Sequence, residues 1–178
     1  MTVFHAAITV ADDYLTRRER YRKSHIERFE RLRARGVVVG GGPAADGRTA
    51  DIVYRATDAA RLARLIEADP YWRGGVWKAY APRPFRFFVD RLVPPPIVLD
   101  GTRRLTVVEG PADDAPSAPD ALLVLREAGR VEFGGILDGG RPLALVRSAS
   151  PDEAIGWLAS AGGWDPARLS ARPLLYVL

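Results

Sequence analysis

The chain has no cysteine, and only two histidines and one methionine in 178 residues. Without cysteine it has no disulfide, no thiolate nucleophile and no Cys-ligated zinc or iron–sulfur centre. The histidines, His5 and His25, form neither an HxH nor an HxxxH pair, so no metal site is expected. No apolar run approaches the ~20 residues needed to cross a bilayer, and no membrane association is expected. The opening "MTVFHAAITVADD" lacks a basic segment followed by a long apolar core, so the expectation is no signal peptide and a cytoplasmic protein. "GGGP" (40–43) does not have the GxGxxG spacing of a dinucleotide loop, and there is no Walker sequence. The chain is therefore expected to work without a cofactor.

Apolar residues make up 47% and charged residues 27%, as in a soluble globular protein of one domain or two small ones. The net charge of +4 is uneven. Residues 17–35, "RRERYRKSHIERFERLRAR", carry nine Arg or Lys against three Glu. A solvated helix face is preferred here over a nucleic-acid surface, and no nucleic-acid partner is expected. The same excess could steer an anionic small molecule into a nearby cleft.

Alternation in "TVFHAAITV" (2–10) predicts a strand with Phe4, Ala6, Ile8 and Val10 on one face and Val3, His5, Ala7 and Thr9 on the other. A helix is expected over 14–35, with Tyr21, His25, Phe29 and Leu32 at helical spacing and Gly36 as its stop. Strands follow at 37–43 and 49–56. Thr57 or Asp58 can cap the next helix, and 75–85 reads as the closing strand. The order β-α-β-β-α-β is the ferredoxin-like pattern. A stiff proline segment, Pro94–Pro96, then separates residues 1–93 from residues 97–178.

The second half repeats the first in outline. "DALLVLREAGRVEFGGILDGGR" (120–141) echoes "ERFERLRARGVVVGGGPAADGR" (27–48), and "ARPLLYVL" (171–178) echoes "PRPFRFFV" (82–89). Two α+β halves, each with an apolar sheet face to cover, predict a fused pseudo-dimeric α+β barrel, packed sheet to sheet. The chain would be a monomeric pseudo-dimer or a homodimer of it.

"YRKSHIERFERLRARG", "VVVGGGP" and "ADPYWRGGVWKAYAPRPF", in that order, resemble the YCII-like proteins, small α+β barrel proteins, over residues 1–89. The resemblance implies a catalytic His–Asp pair, which falls on His25 and Asp69, and proton transfer or elimination on a small cyclic or aromatic substrate. A carboxylate on one imidazole nitrogen fixes the tautomer and raises basicity. His5, Tyr21, Tyr71, Trp72 and Trp77 are the candidate substrate-binding residues. Each has a plainer reading: a core histidine, core aromatics, or, for Asp69, an Asp-Pro turn. Ser24 lies beside His25 in sequence but not on the same helix face, which argues against a serine nucleophile.

The second half has no histidine and reads "AGGW" (161–164) where the first reads "ADPY". It is expected to be a degenerate structural partner, leaving at most one active site per chain. Arg104, Glu109 and Arg147 are its candidate polar contributions to the pocket. The expected activity is a lyase, dehydratase or isomerase in specialised metabolism. The alternatives are a non-catalytic ligand-binding or protein-interaction module and a cofactor-free oxygenase of aromatic substrates.

Overall fold

The computed structural model describes residues 1–87, 97–112, 116–138 and 140–175, with only the backbone of Phe87. The proline segment expected to divide the halves lies outside the described residues. The first half runs β1 (Thr2–Val10), α1 (Tyr14–Arg17), α2 (Glu19–Ala34), β2 (Val38–Pro43), β3 (Thr49–Ala56), α3 (Ala59–Glu67), α4 (Pro70–Arg73) and β4 (Trp77–Phe87). The second runs β5 (Thr106–Glu109), α5 (Ala118–Glu127), β6 (Val131–Leu137), β7 (Arg141–Val146), α6 (Pro151–Ser160), a 3₁₀ turn (Pro166–Arg168) and β8 (Ser170–Pro173).

Two details depart from the sequence expectation. The helix expected over 14–35 is broken at Arg18 into α1 and α2. A short helix, α4, precedes the last strand of the first half, which begins at Trp77 after a turn through Gly75 at φ 65°. Asp58 provides the α3 cap, accepting from Arg61 N at 2.7 Å, while the Thr57 hydroxyl donates to the Asp58 carboxylate.

The eight strands form one antiparallel sheet in the order β2-β3-β1-β4-β6-β7-β5-β8. Each half contributes four strands in the same relative order. The halves meet edge to edge where Phe85 of β4 pairs with Leu137 of β6. At the opposite seam Ala44 bridges Leu174, Ala45 N donates to Pro173 O, and Leu175 N donates to Pro43 O, both at 2.8 Å. These bonds close the sheet into a barrel. Closure satisfies edges that would otherwise expose unpaired backbone groups.

Alternation along the strands then sorts the side chains. Phe4, Ala6 and Ile8 of β1 pack outward against the helices of the first half. Val108 and Val146 pack likewise on α5 and α6. The barrel interior is filled from both halves by Val53, Phe85, Leu105, Val107, Leu145 and Leu174. Residues of the same strand parity, among them His5, Asp51, Arg83, Glu109 and Arg172, lie on this inner face. Gly41, within the "GGGP" run, has φ 133°, and a Cβ there would stand 1.9 Å from the carbonyl oxygen of Asp51. Close approach of β2 to β3 therefore accounts for that glycine. Among the described residues, no helix is long and apolar enough to cross a membrane.

Candidate functional site

The buried face of α2 presents His25, Phe29 and Leu32 at helical spacing. The His25 ring lies flat on Tyr71, with centroids 3.7 Å apart and planes 8° from parallel. Phe29 tilts against it at 4.5 Å and the edge of Trp77 approaches at 5.3 Å. In this apolar setting His25 Nδ1 is 2.7 Å from Asp69 Oδ1, and each residue is only 1% exposed.

Asp69 is placed by the chain it starts rather than the helix it follows. It has extended backbone (φ −74°, ψ 139°), Pro70 opens α4 behind it, and its Oδ1 also accepts from Tyr71 N at 2.9 Å. A carboxylate is welcome there, because it satisfies a free amide at a helix N-terminus. The same peptide segment thus caps α4, points Tyr71 onto His25 and delivers the carboxylate. Since an ionised carboxylate only accepts, His25 Nδ1 carries the proton and the neutral ring keeps its lone pair on Nε2. Asp69 Oδ2 has no hydrogen-bond partner, and Arg28 Nη1 stands 4.0 Å away. The Tyr54 phenol is pushed well above its ordinary pKa, first by burial and then by the Asp69 charge. Arg28 and Tyr54 were not singled out in the sequence, and no local spacing marks them.

The other named residues divide. Tyr71 and Trp77 belong to the His25 cluster. Tyr21, one turn before His25, covers Gly74, where a Cβ would meet its ring at 2.4 Å. Trp72 is turned away onto Tyr80, 5.2 Å between centroids. His5 is not brought to His25. It is fully buried on the inner face of the barrel, where its Nε2 meets Asp51 Oδ1 at 2.8 Å and its Nδ1 meets Arg83 Nη2 at 2.9 Å. The strand period had placed it on that face, opposite the residues that pack on α2.

That inner-face cluster spans both halves. Arg83 binds Glu109 through two bonds of 2.6 and 2.8 Å, and Arg172 binds Asp51 through two of 3.1 and 2.9 Å. Burial raises the Asp51 pKa, but hydrogen bonds from His5 and Arg172 outweigh it and hold the carboxyl at about 2. Burial likewise works against Glu109, and Arg83 nevertheless keeps it below the ordinary value. The groups border a cleft of about 390 Å³ with Ala7, Thr49 and Ala81. Arg83 and Arg172 were foreshadowed only by the repeated Arg-Pro in "PRPF" and "ARPL". Of the second-half candidates, Glu109 joins this cluster, whereas Arg147 pairs with Glu132 at 2.6 Å.

The second half retains the Asp-Pro device without its partner. Asp165 Oδ1 accepts from Ala167 N at 2.9 Å and opens the 3₁₀ turn, as Asp69 opens α4. The repeat aligns Gly36 with Gly129, both at positive φ, and Phe29 with Leu122, so Ala118 stands where the first half has His25.

The closed eight-stranded sheet with helices on its outer face is that of the dimeric α+β barrel proteins, here built within one chain. Residues 3–86, just under half of the chain, match the model of the YCII-related domain. The chain matches no curated protein.

Among solved structures, a proposed monooxygenase from Lactobacillus acidophilus is similar over 99% of this chain and 94% of its own, at 10% identity and TM-score 0.58. A second proposed monooxygenase, from Fusobacterium nucleatum, is similar over 98% and 91%, at 11% identity and TM-score 0.51. The 5-chloro-2-hydroxyhydroquinone dehydrochlorinase of Burkholderia phenoliruptrix, in complex with 2,5-dihydroxybenzoquinone, is similar over 45% of this chain and 89% of its own, at 19% identity and TM-score 0.40. At these identities the two likenesses with TM-scores above 0.5 show the fold alone.

Proposed function

We propose that this protein is a cofactor-free enzyme in which His25, oriented by Asp69, moves a proton on a small cyclic or aromatic substrate in an elimination, dehydration or isomerisation. The observation that carries this reading is the 2.7 Å contact between His25 Nδ1 and Asp69 Oδ1 inside an aromatic cluster. With Nδ1–H held by the carboxylate, the Nε2 lone pair is the base. It takes a proton from an activated carbon or hydroxyl, the imidazolium is stabilised by Asp69, and the same proton goes to the leaving group or to the isomerised position. Tyr71 and Trp77 offer faces and edges to a flat ring. Because each member of the pair is 1% exposed, substrate entry requires a local opening of the aromatic cluster around His25.

The test is a panel of β-hydroxy and β-halo carbonyl compounds and enolisable rings in D₂O, read by deuterium incorporation and by release of halide or water. For a compound turned over by the native protein, His25→Ala and Asp69→Asn should each lose roughly 10²–10⁴-fold. A folded His25→Ala variant with undiminished turnover overturns the assignment.

The same low exposure favours a second reading, a ligand-binding or interaction module in which the pair is a structural hydrogen bond. There both substitutions would lower stability and no compound of the panel would be converted. Oxygen consumption with an aromatic substrate would instead identify the oxygenase chemistry that an aromatic-walled site permits.

A further inference from the structure

We propose that the groove between α2 and α3 is a binding site for a phosphorylated small molecule carrying two or more negative charges. The groove has a volume of about 360 Å³ and is lined by Arg28, Arg31 and Arg35 of α2 and by Arg61 and Arg64 of α3, over a floor that includes Leu32 and Leu65. Five arginines thus line one small space, and no carboxylate lines it. The acids of α2 open elsewhere: Glu19, Glu27 and Glu30 border a separate cleft with Arg22 and Lys23. Among the described residues no carboxylate pairs with Arg31, Arg35, Arg61 or Arg64 within 4 Å, although the Arg64 charge reaches Asp58, the cap of α3.

Stability does not account for this arrangement. Arg31 and Arg35 are four residues apart and Arg61 and Arg64 three apart on their helices, spacings at which like charges repel. Arg61 lies in the first turn of α3, where the helix dipole disfavours a cation. Arg28 is mostly buried. Its Nη2 donates to Leu65 O at 2.8 Å, while its Nη1 has no hydrogen-bond partner. An anion in the groove relieves the repulsion among Arg31, Arg35, Arg61 and Arg64. A phosphoryl group suits them better than a single carboxylate, because its several oxygens can engage more than one planar fork at once. The volume is that of a small-molecule site. This assignment stands apart from the proton-transfer reading, although Arg28 borders both the groove and Asp69.

The test is isothermal titration of the full chain with inorganic pyrophosphate, with citrate and a single-stranded oligonucleotide as comparison ligands at matched ionic strength. Saturable one-to-one binding of pyrophosphate with a dissociation constant below about 1 mM is expected. It should weaken at least tenfold in Arg31→Gln/Arg64→Gln, both exposed positions that leave the core untouched. Arg73→Gln/Arg104→Gln removes the same charge outside the groove and should bind as the native protein does. Equal weakening in both double variants would reduce the effect to net charge and overturn the site. Citrate binding as tightly as pyrophosphate would overturn the phosphoryl assignment. Tighter oligonucleotide binding, with pyrophosphate unable to compete, would make the face a nucleic-acid surface and overturn the small-molecule one.

Discussion

Arg83 and Arg172 occupy equivalent positions in the two halves, and each is bound by a carboxylate of the other half. Arg83 stands opposite His5 on the strand beside β1, and Arg172 stands opposite Val107 on the strand beside β5. Arg83 reaches Glu109 and Arg172 reaches Asp51, so the two ion pairs cross the barrel in opposite senses. The acids are not equivalent: the register aligns Glu109 with Ala7 and Asp51 with Leu143. The arginines belong to the repeat, and the carboxylates that bind them do not.

This latch makes stability depend on acid. The Asp51 pKa is depressed to about 2, so its contribution is fully present above its ordinary value near 4 and is lost as pH falls through 2. The linked stability is about 2 kcal/mol. Asp51→Asn takes from Arg172 its nearer carboxylate, leaving Glu109 at 3.5 Å, and from His5 its charged acceptor, and should cost about 3 kcal/mol at neutral pH. Urea unfolding between pH 7 and pH 2 should show a steeper acid limb in the native protein than in the variant. Parallel curves would show that Asp51 is not the group responsible.

The tautomer of His25 can be read directly. With Nδ1 donating to Asp69, ring ¹⁵N shifts of the neutral imidazole should assign the proton to Nδ1. His5 should show the opposite tautomer, because its Nε2 faces Asp51 and its Nδ1 accepts from Arg83. Two histidines with the same tautomer would contradict the geometry.

Tyr71 separates ring from hydroxyl. Its ring stacks on His25, but its buried hydroxyl has no hydrogen-bond partner. Tyr71→Phe should therefore be at least as stable as the native chain, by up to about 1 kcal/mol, because it removes an unpaired buried polar group. Tyr71→Ala should lose about 3 kcal/mol or more through the cavity it leaves beside His25. Thermal or urea unfolding of the two variants checks both signs.

Gly41→Ala should be among the most damaging single-methyl changes in the chain. It combines a φ of 133° with a clash against the β3 backbone, and a loss above about 3 kcal/mol is expected. Gly129→Ala, at a helix end with open space around it, should cost only the strain of its positive φ, about 1 kcal/mol. Similar losses in the two would show that β2 can move away from β3.

The sequence by itself determined the order of elements, apart from α4 and the break between α1 and α2, the internal duplication and the inner and outer faces of β1. Each follows from local periodicity, caps and turn residues, which act over a few positions. It also placed His25 on the buried face of α2 and, through the resemblance of its motifs, named Asp69 as its partner. Only the tertiary structure decided that the pair would meet at hydrogen-bond distance and be closed from water, that His5 would join a different cluster, and that arginines of α2 and α3 would share one groove. Those outcomes depend on groups 44 residues apart for His25 and Asp69 and 121 apart for Arg172 and Asp51. Contacts at such separations are set by barrel closure and helix packing, which bring together side chains that no local pattern relates.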